Sequence, residues 1–315
     1  MQAILTNIVP VFALIALGFA AARSGYVGPS VAPGMLIFVF NLAIPALLFR
    51  TSVNVDANAG APWLLWAAFF SAVAMVWIVT TLVARLNPAL SDSGGAAAAM
   101  ATTFGNVALL GLPLAIAHFG KEAAVPVSLL LSIHAPLLWL AATLHIESAR
   151  QGRVPQPLLL LKQLAIELAK NPIVISLLAA ALWRWAGLGL DPIADKFLEL
   201  LGNGGIPAAL VALGLSLSAY SLKGQWSAVA LLIALKMLLL PLIVWAITTW
   251  IVALPVLWKH VAIMLAAMPT GANAYLFAKR YDSTGPAVSG NIALGTAIAI
   301  FTTAALLQLM DWGWV

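Results

Sequence analysis

Ala101-Thr-Thr-Phe-Gly105-Asn106-Val-Ala-Leu-Leu-Gly111-Leu-Pro113 lies inside a run, residues 93–120, that carries no Asp, Glu, Lys or Arg. Met268-Pro269-Thr270-Gly271-Ala272-Asn273-Ala-Tyr275 lies in a second uncharged run, 260–278. Both place Gly, Pro, Thr and Asn at the depth where a membrane helix is furthest from water. Proline removes a backbone donor and glycine loosens the helix, so peptide groups in hydrocarbon lose their partners. Such breaks persist only where protein or a water-filled cavity satisfies the freed groups. Half-helix N-termini at such a break present N–H groups and a positive dipole end to an anion. The pair therefore predicts two broken helices that cross and cradle a carboxylate.

Working outward, residues 24–49, 57–84, 123–146, 200–222 and 283–310 are also free of charge. Residues 171–190 are interrupted only by Arg184, and 224–258 only by Lys236. Each run has about the length of one crossing, roughly 17–25 residues. Met1–Ala22 lacks a basic leader and a small-residue cleavage site, so it reads as a first span and not as a signal peptide. Ten transmembrane helices are predicted, near 4–22, 33–50, 62–86, 95–118, 124–146, 171–187, 197–221, 226–252, 258–278 and 286–310. The runs are too long and too rich in Ala and Leu for barrel strands.

Composition agrees. The 315 residues are 63% hydrophobic and 8% charged, with a mean hydropathy of +1.05. Soluble domains are about 25% charged. A water-soluble enzyme, a disordered chain and a nucleic-acid binder are excluded. There is no cysteine, hence no disulfide framework and no thiolate chemistry. The net charge of +5 suits membrane-flanking loops. With both termini outside, the inner side carries Arg23, Arg85, Arg150, Arg153, Lys162, Lys170, Lys223, Lys279 and Arg280. The outer side carries Arg50, Lys121, Arg184, Lys196 and Lys259. Nine against five favours this orientation.

The two halves repeat. Asn41-Leu-Ala-Ile-Pro45-Ala-Leu-Leu matches Asn203-Gly-Gly-Ile-Pro207-Ala-Ala-Leu, and Asn7-Ile-Val-Pro10 parallels Asn171-Pro172-Ile-Val. Trp63 pairs with Trp226, and Phe104-Gly105-Asn106 pairs with Thr270-Gly271-Ala272-Asn273. Five spans per half is an odd number, so the halves sit inverted, as in secondary transporters with a midplane site. The expected division is 1–150 as the first repeat, 151–170 as a cytoplasmic connecting loop, and 171–315 as the second repeat.

The strings Gly105-Asn106-Val-Ala-Leu-Leu-Gly111-Leu-Pro113-Leu and Met268-Pro269-Thr270-Gly271 through Phe277-Ala278-Lys279-Arg280-Tyr281 resemble the crossover helices of the auxin efflux carrier family. That family includes PIN-type plant carriers and bacterial permeases described as malonate transporters. The resemblance covers essentially the whole chain, including the Asn171-Pro172 entry to the sixth span. It implies a fold like that of bile-acid symporters and sodium/proton antiporters, with scaffold and crossover transport domains each drawn from both repeats. Elevator-type movement and small organic anions as substrates are implied too. By the same resemblance Asn106 matches the carboxylate-binding Asn, and Pro269 the crossover proline of the ninth span. Gly105 stands where the plant carriers have a proline, and Asn273 where they are more apolar. A more polar cavity follows, suited to acids smaller than auxin.

Other polar residues sit at depth. Asn41 and Asn203 are expected to approach near the pseudo-twofold axis, either binding substrate oxygens or bonding the broken backbone. Thr102, Thr103 and Thr270 offer hydroxyls, or bond their own preceding carbonyls. His134 lies midway along the fifth span; it is a proton site or a neutral interhelical hydrogen bond. Lys236, deep in the eighth, stands in for a coupling cation, attracts the anion, or snorkels to an interface. Asp191, Asp195 and Glu199 cluster at an outer helix end, where solvation and capping are expected. Spans 3–5 and 8–10 hold no acidic residue, which weakens a sodium site.

The leading expectation is a secondary carrier for a small organic anion in a bacterial inner membrane, coupled to protons or uniporting. The rival is a sodium symporter of the bile-acid type; a channel or a membrane-embedded transferase is more remote. The expected partners are the anion, the lipid bilayer and a second copy of the chain. No cofactor, metal, nucleic acid or catalytic residue is expected.

Overall fold

The computed structural model describes residues 2–28, 30–54, 60–91, 95–151, 157–220 and 226–315. Arg153 and Lys223 of the charge argument lie outside these residues. The described chain is helical throughout, and backbone pairing of the extended kind occurs between Gly105 and Thr270. Among the described residues, seven helical segments are long and apolar enough to cross a membrane: Thr6–Arg23, Val31–Val53, Pro62–Ala84, Lys121–Arg150, Pro192–Leu217, Trp226–Trp250 and Gly285–Asp311. The other three expected spans hold no single helix of that length. Two of them, 95–118 and 258–278, are each broken in the middle. The third is a 14-residue helix, Pro172–Trp185.

Residues 151–170, expected as a loop, contain a helix, Pro157–Lys170, bent 71° from Pro172–Trp185 across Asn171. Pro157-Leu-Leu-Leu-Leu-Lys162 opens it, an apolar run that charges at Lys162, Glu167 and Lys170 disguise. Asn171 then starts the next helix by accepting a hydrogen bond from the Ile173 N–H at 2.9 Å, with Pro172 in the first turn where its missing N–H costs nothing.

The chain divides into two compact units, each assembled from both halves of the sequence. The first comprises residues 1–60, 108–132 and 168–219. In it α1 (Gln2–Arg23) runs along α10 (Pro192–Leu217). A second helix, α2 (Val31–Phe38) continuing into α3 (Ile44–Val53), packs on α10 and on α9 (Pro172–Trp185). At one end of this unit, Arg50 grips Asp195 with two parallel hydrogen bonds of 2.7 and 2.8 Å, and Glu199 lies 3.9 Å away. Asp191 caps α10 by accepting from the Ile193 N–H. The acidic cluster is therefore a cap and an ion pair.

The second unit comprises residues 61–107, 133–167 and 220–315. At its centre is α5 (Ala96–Thr103), whose eight residues are all buried. Its sequence, AAAAMATT, is almost entirely small, which lets neighbouring backbones approach closely. Around it pack α4 (Pro62–Ala84), α11 (Trp226–Ala234), α14 (Ala272–Arg280) and α15 (Gly285–Asp311). Beside these, α12 (Leu240–Trp250) packs on α13 (Val256–Ala267) and on α4.

Among the described residues, three π-helical turns interrupt the helices, at Val39–Ala43, Val107–Gly111 and Leu235–Leu239. Each is followed two residues later by proline, namely Pro45, Pro113 and Pro241. An α-helical proline clashes with the carbonyl four residues back and gives it no donor. The wider i→i+5 turn moves that carbonyl away, and such bulges concentrate at functional positions. The first holds Asn41, the second begins one residue after Asn106, and the third holds Lys236.

Candidate functional site

The crossing is built within the second unit. α5 ends at Thr103 and α13 ends at Ala267, so two helix C-termini meet there. Phe104-Gly105-Asn106 and Met268-Pro269-Thr270-Gly271 then run extended and antiparallel. The Asn106 N–H donates to the Pro269 carbonyl at 2.7 Å, and the Gly271 N–H to the Phe104 carbonyl at 2.9 Å. Each break thus satisfies the backbone of the other. In hydrocarbon, where an unpaired peptide group costs several kcal/mol, this is what allows both breaks to exist.

Side chains complete the joint. Thr270 Oγ1 donates to the Ala101 carbonyl at 2.6 Å and accepts from Asn291 Nδ2 at 2.8 Å. Lys236 Nζ donates to the Ala266 carbonyl at 2.7 Å. The last turns of both broken helices therefore find donors from elsewhere in the unit. Thr102 and Thr103 instead bond the Ala99 carbonyl one turn back, with Thr102 also 2.8 Å from the Thr80 hydroxyl. Of the three threonines, only Thr270 ties one segment to another through a carbonyl. Asn291 was not singled out in the sequence, although a lone amide between Gly290 and Ile292 of an apolar helix was a visible signal.

What the joint leaves over is donors. The Asn106 side chain is buried, 6% exposed, and makes no hydrogen bond to any described residue. Its peptide N–H is tied to the Pro269 carbonyl, so the bridge fixes the backbone that carries the amide. α14 begins at Ala272 with Gly271 as an N-cap that contributes no side-chain bond, and Asn273 sits half-buried in its first turn. Donors without protein acceptors beside a positive helix end suit an oxyanion.

Two ionisable groups lie buried in the same unit. His134 is 2% exposed and enclosed by the rings of Phe104, Phe69 and Phe70, with centroids at 4.8, 6.0 and 6.3 Å. Neither ring nitrogen has a hydrogen-bond partner among the described residues. The expected alternative of an interhelical hydrogen bond is therefore not what the fold supplies. Lys236 is 1% exposed and turned inward to Ala266, so it does not snorkel. Asn41 and Asn203 belong to the first unit; both are exposed and neither bonds a described residue, so neither holds the broken backbone. Gly105 and Pro269 are in the bridge, and Pro113 follows the π turn after Asn106.

Thr270→Val should lower the unfolding midpoint of the purified protein. It leaves the Ala101 carbonyl and the Asn291 amide each without one partner, about 1–2 kcal/mol for intramembrane bonds. Thermal unfolding in detergent reads this directly; an unchanged midpoint would show that the joint does not depend on the hydroxyl.

Comparison with known proteins places this architecture. Residues 3–307 match the family model described as Membrane transport protein. The chain is similar to a Rhizobium meliloti protein named "Putative malonate transporter", at 26% identity over 97% of this chain and 95% of that one. It is also similar to auxin efflux carrier component 8 of Arabidopsis thaliana, at 24% identity over 96% of each chain. An uncharacterized transporter of Methanocaldococcus jannaschii is 24% identical over 97% of this chain and 96% of its own.

Proposed function

The chain belongs to the membrane transport protein family, that of the auxin efflux carriers, and from that premise we propose that it carries a small organic anion across the membrane as a secondary transporter. It is a transporter and not an enzyme. The observation that carries the substrate class is the crossing. Two broken helices satisfy each other's backbone, while the Asn106 amide and the first turn of α14 keep donors in reserve.

In this reading a carboxylate binds against Asn106, the peptide groups around Gly271 and Asn273, and the Thr270 segment. Asn41 and Asn203, exposed in the first unit, are further amides open to the cargo. The ten spans form two inverted five-helix repeats, and the crossing travels with its own unit in an elevator-type cycle. Location in a bacterial inner membrane with both termini outside, and assembly as a homodimer, complete the proposal. The malonate relative supports a mono- or dicarboxylate of a few carbons as the cargo.

Coupling to protons rests on His134. A buried imidazole always carries at least one N–H, and here that donor has no described acceptor. Water or substrate must accept from it, and the other ring nitrogen keeps a lone pair open to a proton. His134→Gln should leave substrate affinity within about threefold, since it keeps an amide of similar size, and should flatten the pH dependence of uptake. A variant that still follows an imposed proton gradient would clear the histidine of this role.

The test of the whole reading is counterflow of labelled malonate and related acids in proteoliposomes, with imposed proton or sodium gradients. Saturable exchange that ignores sodium supports the proposal. Sodium-driven uptake favours a symporter, and absence of flux for every small carboxylate removes the anion reading.

A further inference from the structure

Lys236 raises a question that the crossing's backbone bonds do not answer. Its Nζ carries three donors, of which the Ala266 carbonyl takes one, and among the described residues it forms no ion pair. A charge buried to this degree without a counterion is strongly unfavourable unless something brings the opposite sign. Its location explains its sign. The carbonyl ends of α5 and α13 both finish at the crossing, and the negative ends of two helix dipoles there favour a cation. Carbonyl oxygens in such a cluster are also what a sodium ion would seek.

Gly105 makes the room. A Cβ on residue 105 would lie 3.2 Å from Lys236 Nζ and 3.4 Å from the Leu265 carbonyl oxygen. The missing side chain leaves a slot between the two broken segments, and the ammonium fills it. Lys236 reaches the slot from the π turn Leu235–Leu239, whose wider backbone precedes Pro241.

We propose that the Lys236 ammonium is the fixed countercharge of the transported anion, housed in the slot left by Gly105 where a coupling sodium ion would otherwise bind. The inference rests on the anion-carrier reading above and sharpens it in two ways. The carrier needs no sodium, because the cation is covalently part of the chain. The preferred cargo is a small dicarboxylate, because the helix N-terminus with Asn106 and the ammonium are two separate positive features.

Calorimetric binding to the full-length purified protein tests this, with malonate and propionate as probes. In the native protein, malonate affinity is expected to be the same in sodium and in choline salts. Lys236→Met should weaken malonate binding by about tenfold or more, the loss of one charge-assisted bond, and propionate by less than about threefold. The same variant should unfold at an equal or higher temperature without ligand, since an apolar chain replaces an unpaired buried charge. Gly105→Ala should weaken malonate binding when Lys236 is present and have no added effect in the Lys236→Met background.

Malonate affinity that requires sodium would overturn the proposal, as would a Lys236→Met protein that keeps its preference for the dianion. Equal losses for both acids, together with a lowered unfolding temperature, would reduce Lys236 to a structural cap and overturn it too. A native protein that binds neither acid would overturn the anion-carrier reading along with it. Normal native binding beside an unaffected Lys236→Met protein would overturn the countercharge alone.

Discussion

Asn106→Ala should abolish transport while leaving the fold intact. The bridge uses the peptide N–H of Asn106, which alanine keeps, and the extended backbone there is held by the Pro269 carbonyl and the Gly271 N–H on the partner segment. The side-chain amide bonds no described residue, so its removal breaks nothing inside the protein. What disappears is a donor to the cargo. A hydrogen bond to a charged group contributes about 1.5–3 kcal/mol, so the loss of one such bond corresponds to roughly a 10- to 150-fold loss of affinity. Initial uptake rates in proteoliposomes, alongside the unfolding midpoint, separate the two effects. Uptake at the native rate would remove Asn106 from the site.

Gly214→Val should have the largest effect on stability. A Cβ at 214 would meet the Ile15 carbonyl oxygen and come within 2.8 Å of the Phe19 nitrogen. From the opposite helix, a Cβ at Gly18 would meet the Val211 carbonyl and lie 3.1 Å from the Leu215 nitrogen. α1 and α10 therefore touch backbone to backbone, and no rotamer change makes space. Helices in lipid associate through this kind of packing, because apolar side chains gain little by leaving the acyl chains. Overpacking against backbone belongs at the upper end of the usual range, about 3 kcal/mol or more. The expected result is poor accumulation of folded protein or a sharply lowered midpoint. Gly204→Val on the same helix is the control, since nothing lies within 4 Å of its added Cβ. Equal behaviour of the two variants would contradict the close-packing account.

Much of this was legible in one sequence because membrane insertion leaves a coarse record. Charge-free runs mark where the chain can cross, and Gly-Asn or Pro-Thr-Gly within such a run marks a break that cannot be accidental. The sequence could not show how the breaks are satisfied. Nothing in Phe104-Gly105-Asn106 names Pro269 as its partner, since pairing across 163 residues, from 106 to 269, is a property of the fold. The three threonines look equivalent as letters, yet only Thr270, in extended backbone, gives its hydroxyl to the carbonyl of another segment. Inside a helix a hydroxyl falls back on the preceding turn, as Thr102 and Thr103 do.

Charged residues misled in two places. Lys162, Glu167 and Lys170 read as a loop, whereas 157–170 is helical, because scattered charge is compatible with a helix that has one apolar face. Asp195 looked like a solvated helix end and is half of a bidentate ion pair with Arg50, 145 residues away in sequence. The π turns also escaped notice. Their common sign, a proline two residues beyond, is visible only once the widened turns at 39–43, 107–111 and 235–239 are seen.

The two-bond bridge between the broken helices has a kinetic corollary. The amide protons of Asn106 and Gly271 are each held by a carbonyl from the other segment, so neither can be released by fraying of its own helix. Solvent reaches them only when both segments part at once. Amide hydrogen exchange should therefore find these two protons among the slowest of the second unit and exchanging in step, a pair of clocks set by one opening event. A ligand seated on Asn106 would slow both together.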